Sequence, residues 1–167
     1  MATLGRLLRR TAGSSTAARL GHKGQIFFGG FHSTGPTLAA TDDEWLIEKS
    51  KDSAVVTQDS GLMYKVLAQG DEGARSPGLH SPCVCHYEGS LTDGTVFDSS
   101  RARGAPATFA PSQVIPGWTE ALQLMKEGDH VELYIPSDLA YGSQGAGGVI
   151  PPNAALMFSL ELIEVKD

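Results

Sequence analysis

Six aromatic side chains in the second half of the sequence are of a type that could form a binding cavity. They are Tyr87, Phe97, Phe109, Trp118, Tyr141 and Phe158. Each lies near the end of a predicted element or in its first turn. Aromatic rings bury large apolar areas, and tyrosine and tryptophan add a polar group to them. Composition alone favours ordinary core packing over such a cavity, so the choice between the two depends on the surrounding sequence.

The sequence gives little support for covalent catalysis, metal binding or phosphate binding. There is no G-x-S-x-G segment, and neither cysteine, Cys83 or Cys85, stands in a recognisable nucleophile context. His86 follows Cys85, but neighbouring residues of a strand point to opposite faces, and no second Cys/His pair supplies the missing ligands. The glycine-rich stretch 142–148 lacks the Lys-Ser/Thr of a phosphate loop and precedes two prolines. We therefore expect buried strand cysteines, no disulfide framework, no metal and no cofactor.

The charge is distributed unevenly along the chain. The 167 residues carry a net charge of −6, but residues 1–40 hold five basic residues and no Asp or Glu. All 19 acidic residues and eight of the 13 basic ones follow, which leaves −11 on residues 41–167. This balance disfavours nucleic acid as a partner of the folded part. No apolar stretch approaches the ~20 residues that a membrane-spanning helix needs, so stable membrane insertion is not expected.

Residues 1–40 have the composition of an organellar targeting presequence. Two sides of a short helix carry opposite residue types: Leu4, Leu7 and Leu8 on one, and Arg6, Arg9 and Arg10 on the other. A secretory signal would need an apolar core of about 7–15 residues, which is lacking. We predict a mitochondrial address that is disordered and is cleaved between Phe31 and Thr41. A plastid transit peptide, a basic tail or surface anchor, or a cytoplasmic protein without a working presequence stays open.

The first part of the remaining chain alternates turn signals with strand formers. Acidic residues at 42–44 and lysines near 51 suit the two ends of a short helix, so residues 41–60 are predicted to be a short helical linker. Residues 62–68 and 83–89 are predicted strands. Asp93-Gly94 between apolar residues indicates a hairpin turn.

One helix and two further strands complete the pattern. The helix is predicted to begin at Pro116 and to continue to Gly128, with apolar residues at helical spacing: Trp118, Leu122 and Met125. Apolar and polar residues alternate in 131–135 and 158–163, on either side of a long loop at 136–155. The sequence thus predicts an α+β domain with a curved antiparallel sheet wrapped around one short helix.

Four segments decide between core packing and a cavity. VFDSS at 96–100, QVIPGW at 113–118, LAYG at 139–142 and GVIPPNA at 148–154 resemble, in order and spacing, signatures of FKBP-type peptidyl-prolyl cis-trans isomerases. The resemblance runs from about Gly61 to Val165, so residues 61–167 are expected to form the isomerase domain.

The resemblance implies the fold and the cavity. The family has a highly twisted antiparallel sheet of five or six strands around a short helix, with a proline-binding pocket between them. Trp118 would form the floor of the pocket. Its walls would be formed by Tyr87, Phe97, Val114, Ile115 and Phe158.

The resemblance also implies polar and rim contacts. The N–H of Ile115 and the hydroxyl of Tyr141 would donate to substrate carbonyls, with Asp98 beside the bound amide. Arg103 would pair with Asp98 and orient it. The remaining residues implied in substrate or inhibitor binding are Phe109, Val149 and Ile150, the last two on a loop over the pocket.

The activity implied by the resemblance is acceleration of rotation about X–Pro bonds in folding polypeptides. A proline-binding interaction module, or a folding chaperone without significant catalysis, is the alternative. GAPATF at 104–109 and QVIPGWTE at 113–120 look most like the macrophage-infectivity-potentiator subgroup. The likeness stops short of that subgroup's long dimerisation helix, so we expect a monomer. Macrolides such as rapamycin are expected ligands, although Ala107 stands where many small family members carry an aromatic residue.

Overall fold

A computed structural model of the chain describes residues 41–167, so the predicted presequence lies outside the described residues. The helices are α1 (Asp42–Ser50) and α2 (Pro116–Leu124). The strands are β1 (Val55–Thr57), β2 (Met63–Ala68), β3 (Cys83–Leu91), β4 (Val96–Ser99), β5 (Ala107–Phe109), β6 (His130–Ile135) and β7 (Leu156–Val165). Neither helix of this part of the chain is long and apolar enough to cross a membrane.

The strands form one antiparallel sheet in the order β1-β2-β6-β7-β3-β4, with β5 paired to β3. This confirms the predicted fold class, but the sheet has seven strands instead of five or six. The two strands that the sequence did not predict, β1 and β5, have three residues each. Three residues are too few for an alternating pattern to stand out. Residues 41–60, predicted as a helical linker, therefore contain α1 and also an edge strand of the sheet.

The sheet presents two faces with different character. Along β6, Val131, Leu133 and Ile135 are buried in the main apolar core together with Trp118 and Leu122 of α2. Successive residues of a strand point to opposite sides. The residues between them consequently lie on the face away from α2.

Helix α2 begins as predicted and ends earlier. Pro116 occupies its first position, where a missing N–H costs nothing. The helix ends at Leu124, because Met125 is already extended, with φ −93° and ψ 163°. Asp129 accepts the Lys126 N–H at 2.9 Å in the turn that follows. The predicted continuation to Gly128 is thus wrong, although Met125 is buried in the core as its spacing indicated.

The predicted cysteine environment is confirmed. Cys83 and Cys85 are free, fully buried and part of the core. Burial raises the pKa of Cys85 to about 12, so its thiol remains protonated at neutral pH. Within residues 41–167, no group of three or more His, Cys, Asp or Glu side chains is arranged to hold a metal ion.

Helix α1 packs on the face of the sheet away from α2. A capping box joins Thr41 and Glu44 at its start. The Trp45 ring then contacts the Tyr134 ring edge-on, with the centroids 5.6 Å apart. Tyr134 alternates with Leu133 and Ile135, so this contact is on the outer face.

Asp42 ties α1 to two distant segments. Its Oδ1 accepts the Thr92 hydroxyl at 2.7 Å, and its Oδ2 accepts the Ala155 N–H at 2.7 Å. Thr92 lies in the β3–β4 hairpin and Ala155 directly precedes β7. One carboxylate thus joins three parts of the chain.

Replacing Asp42 by alanine is expected to lower the free energy of unfolding by about 2–3 kcal/mol, because both charge-assisted hydrogen bonds are lost. Asp43→Ala is the matched control. It removes the same charge from the same helix turn at an exposed position, and it should cost less than about 0.5 kcal/mol. Urea unfolding of the two variants measures the difference, and equal losses would show that only the charge at the helix start matters. Asparagine is unsuitable at position 42, since its amide can satisfy both partners.

Candidate functional site

A cavity of about 450 Å³ opens between α2 and the sheet. Its lining consists of Tyr87, Phe97, Asp98, Phe109, Gln113, Val114, Ile115, Trp118, Tyr141 and Phe158. Six of these are aromatic or aliphatic side chains without an ionisable group. The cavity therefore suits an apolar ring held by a few polar groups at its edge.

Trp118 forms the centre of an aromatic cluster. It lies in the first turn of α2, which turns its indole toward the sheet, and it is only 4% exposed. Three rings meet it edge-on: Tyr87 at 5.2 Å, Phe109 at 5.9 Å and Phe158 at 5.2 Å between centroids. The indole N–H has no hydrogen-bond partner within residues 41–167. The indole nitrogen is itself buried, so the part of this ring that the cavity reaches is carbon.

Phe97 closes the cavity beside Phe158, with ring centroids 5.6 Å apart. Both rings lie against the backbone of Gly89, which pairs with Asp98 on β4 and Phe158 on β7. A Cβ atom at position 89 would lie 2.5 Å from the Phe158 ring and 2.7 Å from the Phe97 ring. The absence of a side chain at Gly89 thus allows the two rings to reach their positions.

Asp98 is held by two partners at the cavity edge. The Tyr87 hydroxyl donates to its Oδ2 at 2.6 Å, and Arg103 forms an ion pair with its Oδ1. Arg103 also donates to the Tyr87 hydroxyl at 2.8 Å, and its guanidinium lies over the Tyr87 ring. The three side chains form a closed polar triangle.

This triangle sets the ionisation of its members. Partial burial opposes the charge on Asp98, but the hydrogen bonds from Tyr87 and Arg103 and the positive charge of Arg103 outweigh it. The pKa of Asp98 is therefore lowered. Burial, followed by the hydrogen bond to Asp98, raises the pKa of the Tyr87 hydroxyl. Asp98 is thus an anion and Tyr87 a neutral donor at neutral pH.

Hydrogen-bond donors lie at the edge of the cavity. Ile115 is the N-cap residue of α2, and its N–H has no partner within the described residues. The first N–H groups of a helix have no partner in the helix itself. Tyr141 is 39% exposed and lines the cavity, so its hydroxyl is accessible to a bound molecule.

The structure brings together nine of the twelve residues that the resemblance implied. Arg103 is outside the lining and acts on it through Asp98 and Tyr87. Val149 and Ile150 do not line the cavity: Val149 is 52% exposed, and Ile150 is buried in the core. Paired hydrogen bonds between Ala146 and Ile150 close the loop and turn Ile150 inward.

Gln113 was not singled out from the sequence, although it lies within one of the four segments. Gly89 was also missed, and a glycine inside a strand is a signal for the close approach of other groups.

Comparison with known proteins agrees with this geometry. The family model for the FKBP-type peptidyl-prolyl cis-trans isomerase matches residues 73–163. The macrophage infectivity potentiator of Trypanosoma cruzi is 54% identical over 120 residues, covering 72% of this chain and 61% of that protein. The FKBP-type 22 kDa peptidyl-prolyl cis-trans isomerase of Escherichia coli is 50% identical over 128 residues, covering 77% and 61%.

Solved structures show the same fold. The crystal structure of FkpA from Escherichia coli superposes with a TM-score of 0.71 at 42% identity, covering 75% of this chain and 57% of that one. A peptidyl-prolyl cis-trans isomerase from Pseudomonas syringae gives a TM-score of 0.70 at 35% identity, covering 75% and 91%. The chain spans 61% of the length of each of the two curated relatives described above. On this sequence and structural similarity, the chain belongs to the FKBP-type peptidyl-prolyl cis-trans isomerase family, in the group that resembles the macrophage infectivity potentiators.

Proposed function

We propose that this protein accelerates cis-trans rotation about X–Pro bonds in polypeptides, and that residues 61–167 carry this activity. The observation that carries the proposal is the apolar aromatic cavity with its accessible donors, in a chain of this family. The relatives named as isomerases support it further.

The reaction explains why an apolar cavity suffices. Resonance keeps the X–Pro amide planar and sets a barrier of ~18–20 kcal/mol, yet no covalent bond breaks during rotation. The twisted transition state has lost this resonance and is less polar at its C–N bond. A water-excluding aromatic cavity stabilises it relative to the planar amide, so no nucleophile is needed.

The lining residues have separate roles in this proposal. We assign the proline ring to the space above Trp118, between the rings of Phe97 and Phe158. The Ile115 N–H and the Tyr141 hydroxyl would donate to carbonyls of the bound chain and hold it while the bond turns. Asp98, oriented by Arg103 and Tyr87, would face the rotating amide.

The rate of catalysis should be nearly independent of pH between 5.5 and 8. Asp98 has a lowered pKa and stays ionised throughout this range, and Tyr87 has a raised pKa and stays neutral. The contribution of the Asp98 anion is lost only as the pH falls below the ordinary aspartate value of about 4. Measuring kcat/KM with a protease-free peptide assay tests this. A change of more than about threefold between pH 5.5 and 8 would contradict it.

The function itself is tested with the full chain, by measuring isomerisation of an X–Pro peptide and refolding of a proline-limited protein, each with and without rapamycin. We expect acceleration that rapamycin abolishes by competing for the cavity. A folded sample that binds proline peptides without accelerating them would be an interaction module. Acceleration that survives saturating rapamycin would place catalysis outside this cavity.

Location and assembly are further proposals. The basic, acid-free composition of residues 1–40 supports a mitochondrial address. Import of a reporter fused to residues 1–45 into isolated mitochondria tests it, with plastid import as the competing result.

We also propose that the protein is a monomer. The packing of α1 on the sheet of its own chain supports this, and light scattering measures the mass in solution.

A further inference from the structure

The side-chain amide of Gln113 lies at the edge of the cavity, and its oxygen already accepts a hydrogen bond. Its Oε1 accepts the Ala110 N–H at 3.0 Å. A backbone N–H can only donate, so the amide oxygen must occupy this position and the Nε2 group must be the other end. Nε2 has no acceptor within residues 41–167. The side chain therefore offers two N–H donors from a lining residue.

The turn that carries Gln113 is held on several sides. The Gln113 N–H donates to the Ala110 carbonyl at 2.9 Å, which closes the turn from the backbone side. The Thr119 hydroxyl donates to the Pro111 carbonyl at 2.6 Å and fixes the turn to α2. The Ser112 N–H donates to the Leu79 carbonyl at 2.9 Å. Because these contacts exist before anything binds, ordering the amide on binding costs little.

The charge around this amide is balanced. Asp98 is the only carboxylic side chain of the lining, and Arg103 pairs with it. Donors at a neutral edge favour an uncharged or negatively charged acceptor over a cation.

We propose, on the basis of the isomerase function above, that Gln113 contacts the substrate and sets its sequence preference. Nε2 donates to a carbonyl or carboxylate of the residue adjoining the proline on the Val114–Ile115 side of the cavity. The substrate class is thus an X–Pro segment in which this neighbour is neutral or acidic.

The test uses Gln113→Glu, which keeps an oxygen for the Ala110 N–H, removes the donors and adds a negative charge. Gln123→Glu is the matched control: Gln123 is exposed on α2, where its amide donates to the Thr119 carbonyl, and it does not line the cavity. Full-length proteins are compared on peptides that carry Lys or Glu immediately before or immediately after the proline. Both kcat/KM and Kd are measured, the latter by tryptophan fluorescence.

We expect Gln113→Glu to raise the Lys-to-Glu preference about fivefold over wild type on one side of the proline. The shift should shrink at about 1 M NaCl, where charges are screened. Gln123→Glu should stay within twofold of wild type. An unchanged ratio on both sides, or an equal shift in the control, would overturn the role of Gln113. If the wild type accelerates no peptide, the proposed function fails, whereas the Kd ratios still decide whether Gln113 selects the bound sequence.

Discussion

Replacing Phe97 by alanine is expected to lower kcat/KM for X–Pro isomerisation roughly thirtyfold. The ring forms one wall of the cavity, packs edge-on against Phe158 and is half-buried in the free protein. Losing its contact with the substrate should cost about 2 kcal/mol. A factor of ten in rate corresponds to about 1.36 kcal/mol, which gives the expected loss. Peptide isomerisation measures it, and circular dichroism verifies that the variant is folded.

The activity loss in Phe97→Ala is to be compared with the loss in Tyr141→Phe. It removes one neutral hydrogen bond at an exposed position, where water competes for the same donor. We expect a loss of about fivefold, in line with roughly 1 kcal/mol for such a bond. A larger loss in Tyr141→Phe than in Phe97→Ala, with both proteins folded, would show that carbonyl contacts matter more than the apolar wall.

The second large effect is expected from Gly89→Ala. The new Cβ would lie 2.5 Å from the Phe158 ring and 2.7 Å from the Phe97 ring, closer than real Cβ contacts, so both rings must move. They are already packed against each other, and the free space beside them is the cavity. We expect kcat/KM to fall at least tenfold, together with an overpacking cost of about 1–3 kcal/mol in stability.

Gly78→Ala provides the control for adding a methyl group. A Cβ there meets only the Ser81 hydroxyl at 3.5 Å, an ordinary contact. This variant should keep wild-type activity and stability within error. Peptide isomerisation, rapamycin affinity and thermal unfolding are measured for both. Full activity in Gly89→Ala would mean that the strand shifts instead of the rings, and that the cavity does not depend on this glycine.

The longer elements were predictable because their residue patterns are local. Alternation along β6 and β7 and the helical spacing of Trp118 and Leu122 specify which face of each element is buried. Strands β1 and β5, with three residues each, are too short to show such a pattern. The end of α2 was missed because Met125 continues the apolar spacing in an extended conformation.

Contacts between residues far apart in the sequence could not be predicted from the sequence. Asp42 bonds partners 50 and 113 positions away, and nothing near Asp42 in the sequence marks either of them. The position of Ile150 was similarly decided by how its loop closes on Ala146. The aromatic lining could be inferred because four separate segments resembled one family, which fixed in advance how those segments meet.

The placement of α1 has a consequence for how the two faces of the sheet can vary. Since α1 contacts the sheet through Trp45 on the face opposite α2, none of its residues lines the cavity. Substitutions in α1 can therefore accumulate without displacing the rings that line the cavity, as long as Asp42 keeps its two partners. The two sides of one sheet can thus diverge at different rates.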